Sequence, residues 1–303
     1  MARFISRCLP GDAITFDIGA NIGLVTLLMA MHCPAGHVFA VEPVPENVRY
    51  LRRNLELNGI RNCTVIEAAV GRTDDEVRVH PQGAYSYVVR DPRETAADAR
   101  VSLRTLDGLA ASVLAGRRLS FAKIDVEGFE PDVLDGARRL IGRDRPWIFM
   151  EFNSWCLWSL HAYDQCALAR ALWDSFEVST IDESGHPVPA FGGDPDTFLR
   201  HNATHGFVDD LLLRLQDRHD APALEAMTSS RSAWCVRRDL EALRSSTSWK
   251  VTAPLRALSA AVGPGRWRRW SGMGLLALSH PAQSRCFIAR FRPAVFPPPV
   301  IAL

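Results

Sequence analysis

No stretch of this 303-residue chain approaches the roughly 20 consecutive apolar residues that cross a bilayer, so no membrane span is expected. The opening residues "MARFISRCLPGD" hold no apolar run of the length a secretory leader needs. No C-x-x-C pair occurs, because the seven cysteines at 8, 33, 63, 156, 166, 235 and 286 are scattered. That spacing argues against a zinc site and against a disulfide framework, and it fits a reducing compartment. These absences lead to the expectation of a cytoplasmic protein, at most attached to the inner membrane face.

What is present is a globular composition, 47% hydrophobic and 23% charged, with ample material for a core. The net charge of +1 hides an asymmetry. Residues 1–230 hold 23 basic and 32 acidic side chains, whereas residues 231–303 hold 12 basic and 2 acidic. So abrupt a change of sign separates a body from an extension with a different task. The expected division is 1–215 for the body and 216–303 for a basic, partly helical or irregular extension.

Within the body, short apolar runs alternate with amphipathic segments. "AITFDI", "HVFAVE", "TVIEAAV", "SFAKIDV", "PWIFMEF", "FEVSTI" and "FVDDLLLRL" read as strands. Helices are expected at 21–31, 45–57, from Leu106, from Pro131 and at 163–175, with a small strand insertion within 72–106. Continuous apolar strands separated by helices predict a doubly wound, mainly parallel α/β sheet. Ligands of such sheets sit beyond the carboxyl ends of the strands.

The strand ends therefore carry the candidate chemistry. Asp17, Gly19, Asn21 and Gly23 surround the first turn, in the stretch "TFDIGANIGL". Glu42 ends the second strand, Ala69 the third, Asp125 and Glu127 follow the fourth, and Glu151 and Asn153 end the fifth. Gly19 and Gly23 would let a ligand lie against backbone N–H groups, and Glu42 stands where a carboxylate binds a ribose diol. The pattern G-A-N-I-G lacks the middle glycine that admits a pyrophosphate, which disfavours a nicotinamide dinucleotide. If the fourth strand runs on, Lys123, Asp125 and Glu127 share one face. Two readings of that trio are open: acceptor chemistry, or a Lys123–Asp125 ion pair with Glu127 capping the helix at Pro131. A divalent cation on Asp125, Glu127 and Glu151 is a further alternative, although no spacing forces a metal site. His201 and His205 read as exposed polar residues in a loop, and Trp147, Trp155, Trp158 and Trp173 as mostly core. The alternative for Trp155 and Trp158, just past the fifth strand, is to line an acceptor pocket, and of the two Trp155 is placed there with Glu151 and Asn153 as substrate-binding.

"FDIGANIGL", "VFAVEPVPENVRYLRRNLELNG", "EAAVG", "VSLRTLDGL", "FAKIDVEGFEPDVLDGARRLI" and "PWIFMEFN" together resemble the FkbM family of S-adenosylmethionine-dependent methyltransferases. The resemblance runs from about Ala13 to Asn153. It implies a seven-stranded class I, Rossmann-like sheet with an antiparallel last strand, and O-methylation of a hydroxyl on a glycan or related natural product. By the same resemblance, S-adenosyl-L-methionine would meet Asp17 and Gly19 at its methionine end, Glu42 at its ribose and Ala69 at its adenine. Asp125 would position the acceptor hydroxyl or take its proton, with Glu127 assisting and Lys123 steering charge. The family carries helical sequence ahead of its first strand, whereas about a dozen residues precede Ala13 here. Either the start lies upstream, or the cover over the cofactor comes from elsewhere.

In the extension, "STSWKVTAPLRAL" is similar to a phrase of bacterial glycan-assembly proteins, which places the chain in polysaccharide biosynthesis. Arginine mixed with Trp and Phe, as in "GRWRRW", suits a disordered tail first, an anionic membrane surface second and nucleic acid last. Two other functions stay open: an NAD-dependent oxidoreductase, and a catalytically inactive methyltransferase-fold adaptor in glycan assembly.

Overall fold

The computed structural model of the chain describes residues 1–80, 86–89, 99–161 and 163–217. The basic extension, with the helical part expected in it, lies outside the described residues apart from positions 216 and 217.

The main sheet has eight strands. Five are parallel: β1 (Ile14–Ile18), β2 (His37–Val41), β3 (Cys63–Ile66), β8 (Phe121–Ile124) and β9 (Trp147–Asn153). Beyond β9 come β12 (Val208–Leu215), antiparallel to it, then β10 (Phe176–Ile181) and the edge strand β11 (Pro187–Pro189). The order is β11-β10-β12-β9-β8-β1-β2-β3. β11 is one strand more than expected. A proline at each end, which removes a ladder donor, suits it to an edge.

A second sheet, β4-β7-β5-β6, is built from Ala69–Val70, Ala99–Arg104, Asp75–His80 and Tyr87–Val89. The run "TVIEAAV" is thus not one strand. β3 stops at Ile66, and Ala69 opens β4, buried against Leu103. Pattern could not show this break, because both halves are apolar and both are strands.

Period-2 alternation assigns the two faces of the main sheet. Phe16, Phe39, Ile124, Met150 and Leu213 point into the larger core, against α4 (Leu106–Val113), α6 (Arg138–Asp144), α8 (Gln165–Ser175) and α9 (Pro195–Thr204). On the other face, Phe121, Phe149 and Leu212 pack with α1 (Ala2–Cys8) and α2 (Leu24–His32). Further along this second face, toward the carboxyl ends of the parallel strands, the same alternation brings up Asp17, Lys123, Glu151 and Asp210.

α3 spans Pro45–Leu57 as predicted, with proline in its first turn and Val48, Leu51 and Leu55 buried. The helix expected from Pro131 is broken in two, α5 (Glu130–Asp135) and α6, at Gly136. A Cβ there would lie 2.0 Å from the carbonyl oxygen of Gly71. α1 occupies the dozen residues ahead of β1. Phe4 packs on Phe121 and Trp147, the first residues of β8 and β9, so this helix covers the end of the sheet opposite the candidate site.

Candidate active site

The loop after β1 is held from three sides. Gly19 N and Ala20 N both donate to Val41 O at 3.0 Å, and Asn21 N donates to Glu42 Oε2 at 2.8 Å. Asn54 of α3 donates to Ile22 O at 2.8 Å. Gly19, at φ +75°, has no room for a side chain, since a Cβ would stand 1.9 Å from Asp125 O. Gly23, at φ +93°, would meet Leu51 at 2.4 Å. Both glycines are therefore demanded by the protein's own packing. The expectation that they free backbone N–H groups for a ligand is corrected: the N–H groups of Gly19, Ala20, Asn21 and Gly23 are all satisfied internally.

Glu42 is the rivet of that loop. Besides Asn21 N, its carboxylate accepts from Val44 N at 3.0 Å and Asn47 Nδ2 at 3.1 Å, and the residue is only 4% exposed. Burial raises its pKa above the usual carboxylate value, against the pull of these three donors. A carboxylate offers about four acceptor positions, so roughly one remains.

Asp17 is buried beneath the loop, with Thr26 Oγ1 donating to it at 2.6 Å. Lys123 crosses from β8 to complete the group. Its Nζ lies 3.7 Å from Asp17 Oδ1 and 3.2 Å from Asp125 Oδ2, and donates to Gly19 O at 2.8 Å. Burial would lower the Lys123 ammonium, but Asp125, Asp17 and Glu151 outweigh it and raise the pKa. Burial raises that of Asp17, with Lys123 and Thr26 opposing. Lys123 is thus a positioning residue that ties the glycine loop to the acid at the strand exit. The side chain of Asp125, by contrast, is 39% exposed and faces outward.

β8 ends at Ile124, so Glu127 does not continue the Lys123–Asp125 face. It sits in a turn at φ +55°, followed by Gly128 at φ +92°, where a Cβ would lie 2.6 Å from the backbone of Cys156. Glu127 does not cap α5, which has no side-chain cap; Glu130, its first residue, instead reaches back into the preceding turn, where its Oε1 accepts from Val126 N at 3.0 Å and Gly128 N at 3.2 Å. Burial first, and the neighbouring Asp125 second, push Glu127 up to about 7. Glu130, fully buried, is pushed up to about 8 by burial. Glu151 is raised by burial and by the Asp125 and Glu127 charges around it. Among the described residues, no group of three His, Cys, Asp or Glu is suited to hold a metal.

At the carboxyl end of β9, Asn153 Oδ1 accepts from Cys156 N at 3.1 Å and so caps α7 (Ser154–Ser159). Its first turn presents Trp155, 59% exposed and edge-on to Trp158. Sequence reasoning missed two partners of this corner. Asn202, inside an apparent glycosylation sequon, is buried, and it joins Ser154 Oγ at 2.5 Å and Asp209 Oδ2 at 2.9 Å. Phe207 hands its carbonyl oxygen to Ser154 N at 2.9 Å. The stretch around His201 and His205 is not loop but α9 and its C-cap; the two rings stack at 3.9 Å, with His201 3.6 Å from Asp209.

A parallel sheet in the order 3-2-1-4-5 extended by an antiparallel strand and its neighbour, with a glycine loop after the first strand and an acid ending the second, defines a class I methyltransferase fold. The more particular likeness follows from comparison: residues 17–162 match the Methyltransferase FkbM domain family. Similar proteins include "Methyltransferase 1" of Beauveria bassiana, 27% identical over 158 residues, covering 44% of this chain and 64% of that protein. "Methyltransferase sdnD" of Sordaria araneosa is 30% identical over 159 residues, covering 42% and 61% respectively. A crystal structure of Methyltransferase FkbM from Methylobacillus flagellatus is 18% identical, with a TM-score of 0.40, and covers 69% of this chain and 45% of that one. The chain thus spans less than two thirds of the length of each of these relatives.

Proposed function

We propose that the chain transfers a methyl group from S-adenosyl-L-methionine to a hydroxyl of a glycan or related natural product. The observation that carries this reading is the chemistry of the rim. Glu42, Asp125, Glu127 and Glu151 stand at the carboxyl ends of strands or in the turns beyond, above the buried Asp17 that Lys123 neutralises. Such a rim suits a cationic ligand carrying a sulfonium and an amino group, and opposes a diphosphate. The spare acceptor position on Glu42 suits a ribose hydroxyl. When bound, the cofactor supplies an electrophilic methyl group. The FkbM match favours this ligand over a nicotinamide dinucleotide.

The residues divide the remaining work. Asp125, exposed and steadied by Lys123, orients the acceptor hydroxyl. Glu127, held near neutrality by burial, takes its proton, since a base is most effective with a pKa near the working pH. Glu151, Asn153 and Trp155 face the acceptor side, with Ala69 near the far end of the cofactor. Alignment of hydroxyl and donor contributes the rest. The basic residues of 216–303 are proposed to meet an anionic membrane face, because arginines interleaved with aromatics suit lipid headgroups. Among the described residues no helix is long and apolar enough to cross a membrane.

Calorimetric titration of the full chain with S-adenosylmethionine, S-adenosylhomocysteine and NAD tests the reading. Binding of the first two alone is expected. Binding of NAD instead would sink it, and binding of none would favour the inactive adaptor.

A further inference from the structure

Phe207 adopts φ +67°, a left-handed conformation that a bulky residue takes only when its surroundings hold it there. Its backbone is held on both sides. Phe207 N donates to Asn202 O at 2.9 Å, and its carbonyl oxygen accepts from Ser154 N at 2.9 Å and Ser154 Oγ at 3.3 Å. Together with Gly206 at φ +101°, it turns the chain from α9 into β12. Such a turn calls for glycine or asparagine, and nothing in it requires an aromatic ring. The ring is not used as core either, for Phe207 is 45% exposed, and so is Val208 beside it.

The position gives the ring a use. Val208 pairs with Asn153, so β12 begins where β9 ends, at the carboxyl rim. Trp155 stands one residue beyond the Ser154 that grips Phe207, and it is 59% exposed. Two exposed aromatic side chains, each carried on backbone locked by hydrogen bonds, thus border the strand end that holds Glu151 and Asn153. The paired strand ends beside them carry an amide and two carboxylates: Asn153, Glu151 and its register partner Asp210.

We propose that Phe207 and Trp155 form an aromatic platform that selects the acceptor, binding the C–H face of a neutral polyhydroxylated ring while Asn153 and Glu151 meet its hydroxyls. Apolar rings with a few placed polar groups are the usual make-up of a small-molecule site. The exposed Asp125 carboxylate, which faces Glu151 at the same rim, disfavours a phosphorylated or otherwise anionic acceptor. This assignment rests on the methyltransferase reading of the rim and names the residues that set its specificity.

The test uses the full chain with S-adenosylhomocysteine present and Phe207 replaced by 4-fluorophenylalanine. Its fluorine resonance is followed while methyl glucoside, methyl galactoside, methyl rhamnoside or glucose 6-phosphate is added. A saturable shift with at least one neutral glycoside, and weaker binding of the phosphate, is expected. Phe207→Gly, which relaxes the turn, is expected to weaken binding of that glycoside about tenfold without lowering the thermal midpoint. No shift with any glycoside, equal or tighter binding of the phosphate, or a lowered midpoint in Phe207→Gly would overturn the platform. Calorimetry on the same sample separates the two claims. Intact S-adenosylhomocysteine binding with a silent fluorine sinks the platform alone. A responsive fluorine without S-adenosylhomocysteine binding sinks the methyl-transfer reading alone.

Discussion

Lys123 Nζ donates to the main-chain oxygen of Gly19 at 2.8 Å while pairing with the Asp125 carboxylate at 3.2 Å. One buried ammonium therefore joins the loop after the first strand to the acid at the exit of the fourth. It also neutralises Asp17, which has no access to water. Removing it leaves a carboxylate stranded in the sheet. Lys123→Met is expected to cost about 3–5 kcal/mol, because breaking a buried pair leaves one charge uncompensated. Urea denaturation measures this. Adding Asp17→Asn to Lys123→Met should recover part of the loss, and strict additivity of the two changes would show that the pair is not coupled.

Gly19 and Gly59, both at positive φ, should respond very differently to alanine. At Gly19 the new Cβ would lie 1.9 Å from a backbone oxygen of β8's exit, whereas at Gly59, φ +65°, it meets nothing within 4 Å. Gly59→Ala is expected to cost about 1 kcal/mol, the conformational penalty alone. Gly19→Ala is expected to abolish soluble folded protein or to lose several times that amount. Expression yield and thermal midpoints compare them directly, and similar midpoints would mean that the loop yields.

Glu127 offers a pH signature. Its carboxyl is pushed up to about 7, so the base form accumulates as pH rises through neutrality. Methyl-transfer kcat/KM, followed with labelled donor on glycan extract, should climb through pH 7 and level off above it. Glu127→Gln should flatten that limb and lower kcat by about 10²–10⁴-fold. Affinity for S-adenosylhomocysteine should stay within a few-fold. An unchanged rising limb in the variant would reassign the base.

Glu130 predicts a stability profile of the opposite kind. Its folded-state pKa of about 8 lies above the ordinary 4.5, so the folded state holds a proton that the unfolded chain releases. Stability from this group is present below pH 4.5 and is lost as pH rises from there to about 8. Glu130→Gln keeps the acceptor for Val126 N and Gly128 N but cannot ionise. Between pH 5 and 9 its thermal midpoint should fall less than that of the parent chain, by about 5 °C. Parallel profiles would show that Glu130 carries no buried proton.

The order of strands and helices was legible in the linear pattern because burial writes itself locally. A strand covered on both faces must be apolar, as in "VFAV" of β2 and "IFM" of β9, and a helix on its surface must show one apolar stripe, as α3 does. The stretch of strand ends that holds the candidate site followed from the same pattern. What the sequence by itself determined is therefore the sheet and the rim. Only the tertiary structure decided what the rim residues do, because each role depends on a partner far along the chain. Gly19 is glycine on account of Asp125, Lys123 is held by Asp17, and Glu42 spends its oxygens on Asn21, Val44 and Asn47. The Phe207 turn is held by Ser154, 53 positions earlier, in a contact that no local period encodes.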